Sequence, residues 1–122
     1  MLEETSKLYA TIGNEVAAAL PPEWENAWLQ VEIIPESTSV GAYYIGGAAR
    51  KPTGIKMPRT LFRMFEQLYS AAKQIDSRKV WTNLTFTLHR SGKFDIEYGY
   101  DPVPIEGEYE RRLAWMAKHL PA

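Results

Sequence analysis

Between Trp81 and Tyr100 the chain reads WTNLTFTLHRSGKFDIEYGY, and no other stretch restricts the fold as tightly. Leu84, Phe86 and Leu88 alternate with Thr85, Thr87 and His89, and Phe94, Ile96, Tyr98 and Tyr100 alternate with Asp95, Glu97 and Gly99. Period two is the mark of strands with one oily and one wet face. A loop of Ser91 and Gly92 alone would set Leu88 opposite Asp95 and Phe86 opposite Glu97, burying carboxylates. A three-residue loop of Arg90, Ser91 and Gly92, with the glycine left-handed in a G1 bulge, avoids this. It predicts Leu88 against Phe94, Phe86 against Ile96 and Leu84 against Tyr98, with Thr87–Asp95, Thr85–Glu97 and Trp81–Asp101 on the other face.

The flanking chain is expected to supply the layers around this hairpin. Leu8, Ile12, Val16 and Leu20, with Tyr9 and Ala19 beside them, recur at helical spacing, which predicts a helix from about Glu3 to Leu20. Glu3 and Glu4 suit its positive end, and Pro21-Pro22 stops it. After a turn at Glu23-Trp24-Glu25, Ala27–Ile34 reads as a strand, and Ser39–Ile45 as its hairpin partner across a turn at 35–38. Gly46-Gly47 ends that strand. GGAARKPTGIKMPR then reads as a mobile loop with a short edge strand near Ile55–Met57.

Arg59–Ile75 predicts a second helix that buries Leu61, Met64, Phe65, Leu68, Ala72 and Ile75 and turns Arg63 and Lys73 outward. Asp76-Ser77-Arg78 breaks it. A third helix is expected from about Glu106, burying Tyr109, Leu113, Met116 and Leu120, with a Glu108–Arg112 pair at i, i+4 on its surface. The fold class is therefore α+β: an antiparallel sheet of four or five strands, with three helices packed mainly on one face. Strand order is not legible from the residues.

At 122 residues, 45% of them hydrophobic, the chain suits one domain spanning 1–122 that buries roughly two-thirds of its unfolded surface. With no cysteine there is no disulfide or thiolate chemistry, which fits a reducing compartment. The N-terminus lacks the pattern of a secretion signal and no uncharged run could span a bilayer, so the expected location is cytoplasmic. Net charge is −1, but it is unevenly placed. Residues 1–36 hold seven acids and one base, residues 50–93 ten bases against Glu66 and Asp76, and residues 94–110 six acids and no lysine or arginine.

Few constellations offer chemistry. His89 and His119, with Tyr98 or Lys93, could cleave RNA by acid–base catalysis, but nothing in the spacing brings the imidazoles together. The glycine-rich basic loop lacks the GxxxxGK[ST] order of a phosphate cradle. Asp95 and Glu97 share a strand face, as a solvated surface pair would, and there is no HxxxH, cysteine or DxDxDG pattern for a metal. No catalytic residue, metal or other cofactor is expected.

Binding has better warrant. Asp95, Glu97 and Asp101, near Trp81 and Tyr100 and followed by Glu106 and Glu108, form an acidic stretch interleaved with aromatics that suits a basic protein partner. Trp81 either anchors such a partner or lies buried under a helix, with the acids keeping one sheet face wet.

WTNLTFTL, GKFDIEYGYD and EYERRLAWMAKHL, in that order, resemble the bacterial immunity proteins of the YezG and YobK type, antitoxins of polymorphic toxin systems. Trp81, Asn83, Leu84, Phe86, Gly92, Lys93, Phe94, Tyr98, Tyr109, Arg111, Arg112 and Trp115 carry the resemblance, and the LPPEW helix end and GAYYI strand extend it toward the N-terminus. The basic AARKPTGIKMPR departs from it, standing where the family pattern is acidic. The resemblance implies a non-enzymatic protein that neutralises a cognate toxin domain, often a nuclease, delivered by contact-dependent or polymorphic systems. A nuclease holds phosphates in a basic cleft, so Asp95, Glu97, Asp101, Glu106 and Glu108 are the expected contacts, with Trp81 and Tyr100 as anchors. The rival from the residues is a nucleic-acid-binding module using Arg50–Arg59 and Arg63. Neither the toxin's identity nor the oligomeric state is written in the sequence.

Overall fold

The computed structural model describes residues 2–35 and 37–121. Eight elements follow in order: α1 (Leu2–Ala19), β1 (Asn26–Ile34), β2 (Ser37–Gly46), β3 (Ala49–Ile55), α2 (Arg59–Ile75), β4 (Asn83–His89), β5 (Phe94–Gly99) and α3 (Glu108–His119). The expected roles of the Glu3 and Glu4 side chains at the helix start, and of Glu36, lie outside the described residues. The α+β class holds, with five strands in one antiparallel sheet ordered β3-β2-β1-β4-β5. The second hairpin thus adds to the free side of β1, and β3 and β5 are the two edges.

The central hairpin takes the register that keeps carboxylates out of the core. Leu88 pairs with Phe94, Phe86 with Ile96, Leu84 with Tyr98, Thr87 with Asp95 and Thr85 with Glu97. Gly92, at φ 94°, supplies the left-handed residue, and His89 closes the loop by donating to the Lys93 carbonyl at 2.8 Å. The ladder stops at Asn83–Gly99, however, so the expected Trp81–Asp101 pair does not form. The chain bends at Thr82, whose N–H and hydroxyl bond the Gly99 and Asp101 carbonyls. Trp81 therefore drops into the core between Tyr69 and Tyr98.

That core lies between the sheet and the pair α1, α2. Ile12, Val16 and Leu20 from α1 and Leu61, Phe65 and Leu68 from α2 meet Leu29, Val31, Leu84, Phe86 and Leu88. Phe65 meets Phe86 edge-on, and neither ring has any exposed surface. Each such side chain contributes roughly 1.5–3 kcal/mol by leaving water. Ile75 departs from the expected stripe: it is 59% exposed, because the packing of α2 ends at Ala72, one turn earlier. The hairpin loop is tied to the chain after α1 by Arg90. Its Nη1 donates to the carbonyls of Pro22 (2.6 Å) and Trp24 (3.0 Å), and its guanidinium lies over the Trp24 ring.

The segment expected as a mobile loop is instead edge strand β3. Ala42–Ile55, Tyr43–Gly54 and Tyr44–Thr53 are paired, and the register then shifts so that Arg50, Lys51 and Pro52 together oppose Ile45. Proline and lysine are tolerated here because an edge strand has one side without sheet partners and an irregularity absorbs the missing N–H. The basic, proline-containing residues of β3 have little strand propensity of their own, and pairing with β2 imposes the extended conformation.

Two helices cover the apolar face. The third, α3, lies across the other, and its expected stripe is not the one it buries. Tyr109 is 71% and Leu113 46% exposed, whereas Trp115 is buried. The reason lies in the chemistry of the face it meets.

Candidate functional site

Alternation along the sheet leaves Gln30, Glu32 and Thr85 pointing away from the apolar core, yet all three are buried. Polar groups in such positions are costly unless bonded. Helix α3 meets that demand. Arg111 grips Glu32 with two parallel bonds, Nε to Oε2 at 2.7 Å and Nη2 to Oε1 at 3.1 Å, while its Nη1 caps the Glu106 carbonyl at 2.6 Å. The hydrogen bond to Glu32 raises the Arg111 pKa further above its ordinary value. Arg112 donates to Gln30 Oε1 and Ser39, lying so close over β2 that a Cβ at Gly41 would collide with its guanidinium. Trp115 donates its indole N–H to Thr85 Oγ1 at 2.8 Å and stacks against Tyr43 and His119. The expected Glu108–Arg112 pair is absent, because Arg112 turns inward to the sheet.

Because the polar and cationic side of α3 faces the sheet, its apolar side is left in solvent. Ile105 (66% exposed), Tyr109 and Leu113 project outward, and Tyr100 (52%) is exposed just beyond β5, whereas Phe94 (36%) lies on the α1 side of the sheet, stacked on Phe86 and edge-on to Tyr9. The candidate carboxylates occupy the same stretch. Asp95 and Glu97 stand on β5 on the α3 side of the sheet, Asp101 and Glu106 on the connecting loop and Glu108 in the first turn of α3, all exposed. Trp81, by contrast, is only 3% exposed. It is a core residue and not a surface anchor, since the bend at Thr82 directs it under α2.

The structure brings only some of these residues together. Glu97 and Asp101 line a cleft of about 390 Å³ whose opposite wall is Arg111, Trp115, Lys118 and His119. Asp95 stands apart at the hairpin end, where its Oδ2 meets His89 Nε2 at 3.4 Å and His89 Nδ1 meets Asn26 Oδ1 at 2.9 Å. Burial holds the His119 pKa below its ordinary value, against the opposing pull of Glu97. Among the described residues no three His, Cys, Asp or Glu side chains gather as metal ligands, and no helix is long and apolar enough to cross a membrane. Sequence reasoning missed Ile105, Tyr109 and Leu113 as surface groups. The available signal was the pair Gln30 and Glu32 in mid-strand, matched by two adjacent arginines on a helix.

Against known proteins, the family model "Immunity protein YezG-like" matches residues 55–122, which run from the end of β3 through α2, the central hairpin and α3. The chain belongs to the YezG-like immunity protein family. Similarity extends beyond the matched region. Immunity protein YezG of Bacillus subtilis (strain 168) is 30% identical over 93% of this chain and 85% of its own length. The YezG protein of Bacillus spizizenii is likewise 30% identical over 93% of this chain and 80% of its own. In structural terms, Trp81, Arg111, Arg112 and Trp115, four of the residues behind the resemblance to this family, are those that fill the core or hold α3 to the sheet. The outward groups on α3 and β5 are free of that duty.

Proposed function

We propose that this chain neutralises a cognate bacterial toxin domain by stoichiometric binding, without chemistry of its own, through the exposed side chains of residues 95–113. One observation carries the reading. Of the six large apolar side chains exposed among the described residues, four (Tyr100, Ile105, Tyr109 and Leu113) fall in the stretch 95–113, which also holds Asp95, Glu97, Asp101, Glu106, Glu108 and Glu110, while Phe94 lies on the other face against Phe86 and Tyr9. Exposed apolar groups rimmed by charge of one sign are the composition of a protein-binding surface. The carboxylates favour a basic partner, and a nuclease of a polymorphic or contact-dependent toxin system, with its phosphate-holding cleft, is the partner that fits. Arg111 and Arg112 do not neutralise the surface, because Glu32 and Gln30 hold them inward.

The test uses the cognate toxin domain. Replacing Asp95, Glu97 and Asp101 together by lysine is expected to slow association by about tenfold or more at low salt, with the difference shrinking as salt rises. Tyr109→Ala with Leu113→Ala is expected to speed dissociation instead. Unchanged affinity and salt dependence in both variants would refute the assignment of this surface.

A further inference from the structure

We propose that a groove on the opposite side of the molecule is a second binding site, for an acidic protein segment that carries a bulky apolar side chain. The groove, about 1040 Å³, runs between the end of α1, strand β2 and the first two turns of α2. Its floor is apolar, made by Ala19, Val40, Met57 and Phe62. Its rim at the α2 end carries Lys56, Arg59 and Arg63, all exposed and without an ion pair among the described residues.

The surrounding charge has the same sign. Between residues 37 and 65 the chain has five lysines and arginines and no acid, and the positive end of α2 points there without an acidic residue in its first turn. Two carboxylates oppose this field. Glu15 lies on the α1 wall, and Glu66, one turn beyond Arg63, is engaged by the Thr38 hydroxyl at 2.8 Å. The cations therefore dominate one end only, and an occupant would set its acids there and its apolar group over Met57 and Phe62.

That division of chemistry favours a peptide over nucleic acid. A nucleic-acid channel tracks a backbone with spaced cations and stacks bases on several aromatic rings. Here Phe62 is the sole ring among the lining residues. An apolar trough with charge at one end is instead the form of a groove that receives an amphipathic segment. The site is remote from the acidic surface, since β2 and β5 are separated in the sheet by β1 and β4. Its occupancy is independent of toxin binding by that surface.

The experiment is a fluorescence-anisotropy titration of the full chain with three labelled probes of equal charge. They are a glutamate peptide interrupted by leucine and phenylalanine, an all-glutamate peptide, and a single-stranded oligonucleotide. The interrupted peptide should bind saturably, about tenfold tighter than either control, and weaken with salt. Arg59→Glu with Arg63→Glu, both at exposed positions, should leave the far-UV circular dichroism unchanged and abolish its binding. Toxin neutralisation by the same variant should be unaffected. Three results overturn the proposal: no saturable peptide binding or binding unaffected by the charge reversal; an oligonucleotide that binds as tightly, which assigns the groove to nucleic acid; or salt-sensitive self-association in sedimentation that the reversal removes, which assigns it to a second copy of the chain.

Discussion

Helix α2 buries Leu61, Phe65 and Leu68 against the sheet and turns Arg63 and Lys73 to solvent, whereas α3 turns Arg111 and Arg112 inward and leaves Tyr109 and Leu113 outside. The two helices pack on opposite faces of the same strands, β1 and β4, so the difference comes from which side chains alternation presents to each. Against Leu29 and Phe86 the gain is non-directional and grows with apolar area. Against Gln30, Glu32 and Thr85 it depends on a few bonds whose geometry must be met, and ionic pairs there come close to breaking even with desolvation. The apolar face thus supplies stability. The polar face fixes where α3 sits, and in doing so keeps an apolar stripe free for a partner.

The sharpest way to break this contrast is to remove one side chain from each face. Phe65→Ala should cost about 3–5 kcal/mol by chemical denaturation, because a fully buried ring between α2 and β4 leaves a cavity. If Phe65→Ala cost less than a polar-face deletion, the assignment of stability to the apolar face would be wrong. Arg111→Ala should cost less, about 3 kcal/mol, and nearly all of it from leaving the Glu32 carboxylate, 3% exposed, without a partner. Replacing both, Glu32→Leu with Arg111→Met, should restore most of that loss and yield a large coupling energy in the double-mutant cycle. Simple additivity would mean that the pair does not position α3.

These faces also show where sequence reasoning succeeds. The hairpin register was legible because a one-residue slip would have buried Asp95 and Glu97, and α2 was legible because an apolar stripe against an apolar sheet obeys periodicity alone. The stripe Tyr109, Leu113, Met116 and Leu120 has a helical period too, but period alone does not say which face a helix buries. That choice was made by Gln30 and Glu32, some 80 residues away, through hydrogen bonds that no local pattern encodes. Strand β3 was missed for a related reason: its basic, proline-containing sequence has little strand propensity, and its partner β2 imposes the conformation. Within the candidate surface, the acids were readable as a block of charge, Trp81 was misplaced by a bend, and Ile105, Tyr109 and Leu113 became visible only once α3 had been turned over.

The smallest expected effect probes the last turn of α3. The His119 ring lies against Trp115 and lines the cleft with Glu97 and Lys118. Burial lowers its pKa from the ordinary 6.5, and Lys118 acts in the same direction while Glu97 acts against both. In the unfolded chain the imidazole binds a proton more readily than in the folded one, so stability should fall as pH drops through the ordinary histidine range and level off once the folded ring is protonated. Denaturation midpoints measured between about pH 7.5 and 5.5 should therefore decline more for the native chain than for His119→Gln, which has no group to titrate there. The loss should appear first in the amide protection of α3 and leave α2 unchanged, since only the polar face is affected. Equal slopes for the two proteins would mean that the ring is solvated and that the hold of the sheet on α3 ends at Trp115.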